Sequence, residues 1–390
     1  MARVVIIGAG HGGFQSAMSL RDEGFAGEIL LIGAEPGLPY QRPPLSKAYL
    51  KTGDAAALAF RPEGFFEKKA ITLRPGLRAE GIDRAAARVH AGGEAIAYDH
   101  LILATGAITF RPPVPGLERA HELRSLADAE RLRGLMDRPR RIAVIGGGFI
   151  GLEFAAVARA QGHQVAVAEA ADRLMARAVS PEISDRFRRL HEGLGTELYF
   201  GSPAAAVDGG GVDLACGTRL PADLVLLAAG VRPDTGLAGE AGLALENGIA
   251  ADATLRTSDP QISALGDCAS FPDPRRGIRI RLESVQAATD HARAIARRIV
   301  HGTAAPYDAL PWFWSDQAEA RLQIAGLALP ADRSVQTPDG TVLRFDGDRL
   351  SAVESVSDPK RHMKARKLLA AGGEADLERL AAAAYDLAVL

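Results

Sequence analysis

Sulfur chemistry has little footing in this chain. Its 390 residues hold two cysteines, Cys216 and Cys268, far apart and in no Cys-x-x-Cys spacing, so neither a structural disulfide nor a cysteine-built metal site is expected. The histidines are scattered without metal spacing, and no Ser/His/Asp set or paired acids point to hydrolysis. No apolar run is long enough to span a membrane. Charge of one sign is also missing. The formal net charge is −2 and no long basic block occurs, so nothing suggests a nucleic-acid or membrane partner. A secretory leader needs a longer apolar stretch than Val4-Val5-Ile6-Ile7, which meets glycine at once; the expectation is a cytoplasmic protein. With 47% hydrophobic residues and 24% charged, the chain suffices for two or three domains with a large core and no covalent staple.

Glycine, in contrast, is abundant and ordered. Gly8-Ala9-Gly10-His11-Gly12-Gly13 follows the apolar run at 4–7. Gly146-Gly147-Gly148-Phe149-Ile150-Gly151 follows a second run at 142–145. After each come a helix-like stretch, another apolar run and an acid, Glu35 and Glu169 respectively. This strand–turn–helix unit holds a dinucleotide pyrophosphate on a helix N-terminus, with the acid taking the ribose hydroxyls. One unit suggests one dinucleotide. Two suggest a protein that passes electrons from one dinucleotide to another.

The chain divides accordingly. Residues 1–109 and 235–308 read as one discontinuous nucleotide-binding domain, 110–234 as a second of the same architecture, and 309–390 as a C-terminal α+β domain. The closing run Leu101-Ile102-Leu103-Ala104-Thr105-Gly106 is echoed at 224–230. Pro-rich stretches at 39–44 and 111–115 read as loop and linker. Short β-like runs at 322–324, 342–345 and 350–353 precede an alanine-rich C-terminal helix or two.

Individual residues carry further chemistry. Glu169 favours NADH, because a carboxylate accepts from ribose hydroxyls and repels a ribose phosphate. Arg173 and Arg177 lie near; they either hold a phosphate or are solvated helix-end charges. Asp267 either accepts from a flavin ribityl hydroxyl or caps a helix. Lys47, after a rigid Pro-Pro pair, suits a fixed cation beside an anionic reduced flavin. It is expected to pair with Glu153 across the two domains, although two unrelated surface charges give the same pattern. His11 lies inside the first glycine turn. Trp312-Phe313-Trp314 is core, or a shield at a flavin edge. Basic groups at 275–281 and 360–367 are solvated faces, or they steer an acidic partner.

Six stretches together resemble the NADH-dependent ferredoxin reductases. They are Tyr40-Gln41-Arg42-Pro43-Pro44-Leu45-Ser46-Lys47-Ala48-Tyr49-Leu50, Ala104-Thr105-Gly106, the second fingerprint through Glu153, Ala264-Leu265-Gly266-Asp267-Cys268-Ala269, Glu283-Ser284-Val285-Gln286-Ala287-Ala288 and Pro311-Trp312-Phe313-Trp314-Ser315-Asp316-Gln317. The resemblance implies a glutathione-reductase-like α/β architecture: two three-layer nucleotide-binding domains and a C-terminal α+β domain. It implies FAD in the first domain, NADH in the second, and single-electron delivery to a two-iron two-sulfur ferredoxin that serves a monooxygenase or dioxygenase. By motif match, Gly12, Lys47, Ala79, Arg124, Asp267 and Val285 face FAD, and the first fingerprint and the sheet edge add Gly8, Gly10, Gly13, Glu35, Thr105 and Gly106 to that site. Gly146, Gly148, Ile150, Gly151, Glu153, Glu169, Arg177 and Gly230 face NADH. Lys47, Glu153 and Trp314 are the expected catalytic set, with Trp314 near the flavin on the ferredoxin side. No metal is implied, and the protein is expected to be a monomer or weak dimer.

Two features depart from the resemblance. Relatives place the FAD-ribose acid where this chain has Ala34, so either Glu35 takes that role or the ribose is held differently. The stretch between Gly326 and Val342 is shorter than the family's. Flavin disulfide reductases carry a cysteine pair soon after their first fingerprint; residues 38–47 hold none, which excludes thiol–disulfide chemistry there. The rival readings are a rubredoxin reductase or other NADH-dependent flavin oxidoreductase, and a redox sensor like apoptosis-inducing factor.

Overall fold

The computed structural model describes residues 2–372 and 377–383. The final seven residues of the expected C-terminal helices lie outside that range. Contacts divide the chain into two units. The first takes the chain up to Arg42, Ala56–Ile108 and Val231–Ala309. The second takes Pro43–Ala55, Thr109–Gly230 and the chain from Leu310 on.

The first unit is built on a five-stranded parallel sheet. Its order is Ile262–Ala264, His100–Leu103, Arg3–Ile7, Glu28–Gly33, Ile71–Pro75. The central strand is buried on both sides, with Val4, Val5 and Ile6 at zero exposure, as a covered parallel sheet requires. Val5 and Ile7 share a core with Ala79, Val89, Ala91 and Ile96 of a three-stranded antiparallel sheet. Helices His11–Asp22 and Val285–His301 pack against each other. Gly12 leaves no room for a side chain: a Cβ there would lie 2.2 Å from Leu265 Cδ1, and at an ordinary contact distance of 3.7 Å from the Ala288 methyl.

The second unit repeats the plan. Its parallel sheet runs Glu197–Tyr199, Gln164–Ala168, Arg141–Ile145, Leu224–Leu227. A small antiparallel sheet contributes Val207, Val212, Leu214 and Leu220 to one core, and helix Phe149–Ala160 contributes Phe154, Ala155 and Ala158 to another. A five-stranded antiparallel sheet follows, ordered Trp312–Gln317, Ala320–Gly326, Arg349–Val356, Val342–Asp346, Arg333–Gln336. Helix Pro359–Ala370 packs on it through Ala365 and Leu369.

The contact-based division differs from the sequence-based one in one consequential place. Residues 43–55 join the second unit because the two prolines lead into helix Ala48–Thr52. Its Leu50 is 2% exposed and packs with Leu132 and Phe154. Lys47 and Glu153 therefore belong to one unit, instead of pairing across a domain boundary.

Candidate functional site

The two glycine turns share one geometry. Gly8 (φ +105°) and Gly146 (φ +112°) lie in the left-handed region, which side chains other than glycine's rarely adopt. Their N–H groups donate to the Ile32 and Ala168 carbonyls, both at 2.8 Å. A Cβ on Gly13 would lie 1.7 Å from the Gly8 oxygen, and one on Gly151 would lie 2.2 Å from the Gly146 oxygen. In each unit the turn sits at the carboxyl end of a strand. The adjacent strand ends beside it, at Leu103 or Leu227, and the chain runs on into Thr105-Gly106 or Ala229-Gly230. That edge of a doubly wound sheet is where nucleotides bind.

The helices that leave these turns are open at their N-termini. Gly10 and Gly148 are the N-caps; neither supplies a side-chain cap bond, and neither helix has an acid in its first turn. Among the described residues, the other helices of eight residues or more are capped by Ser125, Ser180, Ser284 or Asp358. A Cβ on Gly148 would meet nothing within 4 Å, and one on Gly10 only Arg42 Nε at 4.0 Å. Unsatisfied N–H groups, a positive dipole end and open space form a site for an anion. Both cradles fit a dinucleotide pyrophosphate.

The acids differ between the cradles. Strand pairing matches Ile7 with Ile32 and Ile145 with Ala168, so Gly33, not Glu35, stands where Glu169 stands. Glu169 is held by the backbone: its carboxylate accepts from the Gly147 N–H at 2.7 Å and the Ala171 N–H at 2.8 Å. Glu35 is held by side chains: it accepts from the Tyr40 hydroxyl at 2.6 Å and from Arg42 at 2.5 Å. Each carboxylate keeps lone pairs for ribose hydroxyls. Arg173 is committed to the Val179 and Ala176 carbonyls, while the Arg177 guanidinium lies against Gly230. His11 opens the first helix, edge-on to Phe60 at 4.8 Å. Burial first, then Arg42, pushes its imidazole down to about 4, so it is uncharged at neutral pH.

Of the other expected flavin residues, Thr105 adjoins the first turn, and Asp267 and Val285 lie two and three residues from Leu265 and Ala288, which face Gly12. Thr105 donates its hydroxyl to the Asp234 carbonyl at 2.6 Å. Asp267 lies in a 3-10 turn (Gly266–Cys268) just beyond its strand, and Ala79 opens an antiparallel strand. Val285 begins a helix that Ser284 caps by accepting from the Ala287 N–H. Arg124 lies in the second unit, where its N–H donates to Asp128 at 3.2 Å. Ile150, in the first turn of the second cradle's helix, is 44% exposed.

Glu153, one turn further along that helix, is 3% exposed. Lys47 Nζ lies 3.0 Å from its Oε1. The Ser315 hydroxyl donates to Oε1 at 2.7 Å and the Ser46 hydroxyl donates to Oε2 at 2.5 Å. Trp314 shares a strand with Ser315, its ring 5.6 Å from that of Trp312, and the Arg366 guanidinium lies 4.6 Å over the Trp312 ring. Ser46 and Ser315 escaped sequence reasoning. Their one visible signal was that each adjoins a residue singled out for another reason, Lys47 or Trp314.

Comparison with known proteins follows the same lines. Residues 2–292 match the family model described as pyridine nucleotide-disulphide oxidoreductase, and residues 312–390 match reductase C-terminal. The chain is 46% identical to rhodocoxin reductase of Rhodococcus erythropolis, over 98% of this chain and 93% of that protein. It is similar in structure to the ferredoxin reductase for the CYP199A2 system from Rhodopseudomonas palustris: TM-score 0.95, 45% identity, 100% of this chain and 99% of that one. It also resembles the covalent putidaredoxin reductase–putidaredoxin complex: TM-score 0.91, 35% identity, 98% of this chain and 99% of that one.

Proposed function

The chain belongs to the pyridine nucleotide-disulphide oxidoreductase family, among its NADH-dependent ferredoxin reductases, and from that membership we propose its working cycle and the residues that carry it. FAD and NADH are its cofactors, and a ferredoxin is its partner. When bound, FAD accepts a hydride from NADH and gives up the electrons singly, which bridges a two-electron donor and a one-electron acceptor. The acceptor we propose is a two-iron two-sulfur ferredoxin feeding a monooxygenase or dioxygenase. The observation that carries this reading is the pair of helices without a side-chain cap, one in each unit, each leaving a glycine turn, where the other described helices of eight residues or more are capped by a side chain.

The residues divide the work. The turn at 8–13 and the Val285–His301 helix hold the flavin nucleotide, with Glu35 on the adenosine ribose, Thr105, Gly106 and Asp267 along the sheet edge, and Ala79 and Arg124 as further contacts. The turn at 146–151 holds the NADH pyrophosphate, Glu169 its ribose hydroxyls, and Arg177 with Gly230 the far side of that crevice. Lys47 supplies positive charge, and Glu153 fixes where that charge sits. Trp314 lies on the path to the ferredoxin. Cys216 and Cys268 are free thiols, as in a reducing compartment, and we place the enzyme in the cytoplasm as a monomer or weak dimer. Among the described residues no helix is long and apolar enough to cross a membrane.

The test is anaerobic. NADH should bleach the bound flavin, and the reduced protein should then pass electrons to a two-iron two-sulfur ferredoxin much faster than to rubredoxin or oxygen. Trp314→Ala should slow the second step about tenfold while leaving the first nearly intact; stopped-flow rates in the opposite order remove Trp314 from the exit path. Glu169→Ala should lower the NADH-over-NADPH ratio of kcat/KM by about tenfold or more, because it removes a charge-assisted ribose contact and the repulsion of a phosphate. An unchanged ratio means another residue selects the nucleotide.

A further inference from the structure

Strand Trp312–Gln317 carries two different faces. By strand alternation, Phe313, Ser315 and Gln317 point one way and Trp312, Trp314 and Asp316 the other. Each member of the first face meets the NADH cradle. Phe313 packs its ring 4.6 Å from Phe149, the residue after the N-cap Gly148. Ser315 donates to Glu153. Gln317, fully buried, donates to the Ser315 hydroxyl at 3.2 Å and contacts the Met175 sulfur at 3.5 Å. The Met175 N–H donates to the Gly147 carbonyl at 3.0 Å. Met175 itself stands at φ +51°, a left-handed conformation that persists in a non-glycine residue only where its surroundings impose it. The Gln317 carbonyl oxygen is taken by His191 Nε2 at 2.9 Å. That acceptance fixes the amide so that its nitrogen faces Ser315.

The consequence falls on Glu153. Two hydroxyls, one on each carboxylate oxygen, fix the plane of the group and leave Lys47 a single approach. Without Ser315, Oε1 is free to turn toward the ammonium and draw it inward. We propose that Ser315 is a positioning residue for hydride delivery: its hydroxyl, oriented by Gln317, fixes the Glu153 carboxylate and through it the Lys47 ammonium at the end of the NADH cradle. This rests on the ferredoxin-reductase reading above. The two electrons and the proton that leave NADH together are the hydride the flavin takes up, and Ser315 exchanges no atom with either.

The experiment uses the flavin-loaded full chain, with Ser315→Ala, Ser315→Thr and Ser46→Ala beside the parent. Stopped-flow reduction by NADH gives the limiting rate and the half-saturating concentration; NAD⁺ binding and thermal melts are measured separately. In Ser315→Ala the limiting rate should fall about five- to tenfold, with NAD⁺ affinity changed less than about twofold. Ser315→Thr, which restores a hydroxyl on a strand-compatible side chain, should recover most of the rate. Ser46→Ala removes the other hydroxyl and should reproduce the slow limiting rate even if Ser315→Ala fails to fold. A parental rate in Ser315→Ala overturns the proposal, as does a parental rate in Ser46→Ala where Ser315→Ala fails to fold, and so does a threonine variant as slow as alanine. A parent whose flavin NADH does not bleach fails the ferredoxin-reductase reading itself, a separate outcome.

Discussion

Gly148→Asp should leave the protein at least as stable as its parent while weakening NADH binding at least about a hundredfold. The two effects separate because the position is a helix N-cap in extended backbone (φ −82°) with open space where the new Cβ falls. Aspartate is a preferred N-cap, and its charge favours the helix dipole, so helix Phe149–Ala160 should gain about 0.5 kcal/mol. The same carboxylate then occupies the N–H groups the pyrophosphate needs and repels it. A like charge about 4 Å away, at an effective dielectric near 20, opposes binding by about 4 kcal/mol. Gly10→Asp is the counterpart in the first cradle, where the new carboxylate also meets Arg42; it should yield a folded, colourless protein. Flavin content, an NAD⁺ titration and a thermal melt on each variant decide the matter. Parental NADH affinity in Gly148→Asp would falsify the pyrophosphate assignment.

The cradles were legible in the sequence because their constraint is local. A turn that needs left-handed backbone at Gly8 and Gly146, and bare contact at Gly13 and Gly151, can be written only with glycine. The flanking strands were equally readable, since a parallel strand buried on both faces must be continuously apolar. What stayed hidden depends on contacts distant in sequence. Ser46, Ser315 and Gln317 are ordinary polar residues until the fold brings Glu153 and Met175 to them across more than a hundred positions. Glu35 looked like the counterpart of Glu169, but only strand register reveals the two-residue offset and the dependence on Tyr40 and Arg42. The division at 43–55 was missed because Pro-Pro reads as a loop, whereas the deciding event is the burial of Leu50.

Arg344→Met should be the most destabilising single change in the C-terminal sheet, at about 3–5 kcal/mol. Arg344 is 5% exposed and Glu354 not at all. The guanidinium lies 3.0 Å from the Glu354 carboxylate, which also accepts from the Ser180 N–H with both oxygens. Ser180 in turn caps helix Pro181–Gly193. The other arm of Arg344 donates to the Leu329 and Asp332 carbonyls at 3.1 and 3.2 Å, inside the stretch between Gly326 and Val342. A single guanidinium thus secures that stretch and neutralises a carboxylate with no access to water. Methionine fills the volume and leaves the charge uncompensated. Urea unfolding should show the loss as a lower midpoint at unchanged slope.

The pH dependence has a fixed sign. Burial already holds the Glu354 carboxyl above its ordinary range, with Ser180 and Arg344 pulling against it; removing Arg344 raises it further. A carboxyl raised in the folded state binds its proton more tightly folded than unfolded, so stability is lost as pH rises through that interval and regained as it falls. The deficit of Arg344→Met should therefore shrink on acidification from neutral pH toward the ordinary carboxyl range. Arg344→Met combined with Glu354→Gln, which keeps a carbonyl for the Ser180 N–H but no charge, should recover to within about 1–2 kcal/mol of the parent. A deficit that grows on acidification, or a double variant no better than the single, would mean that Arg344 acts by packing alone.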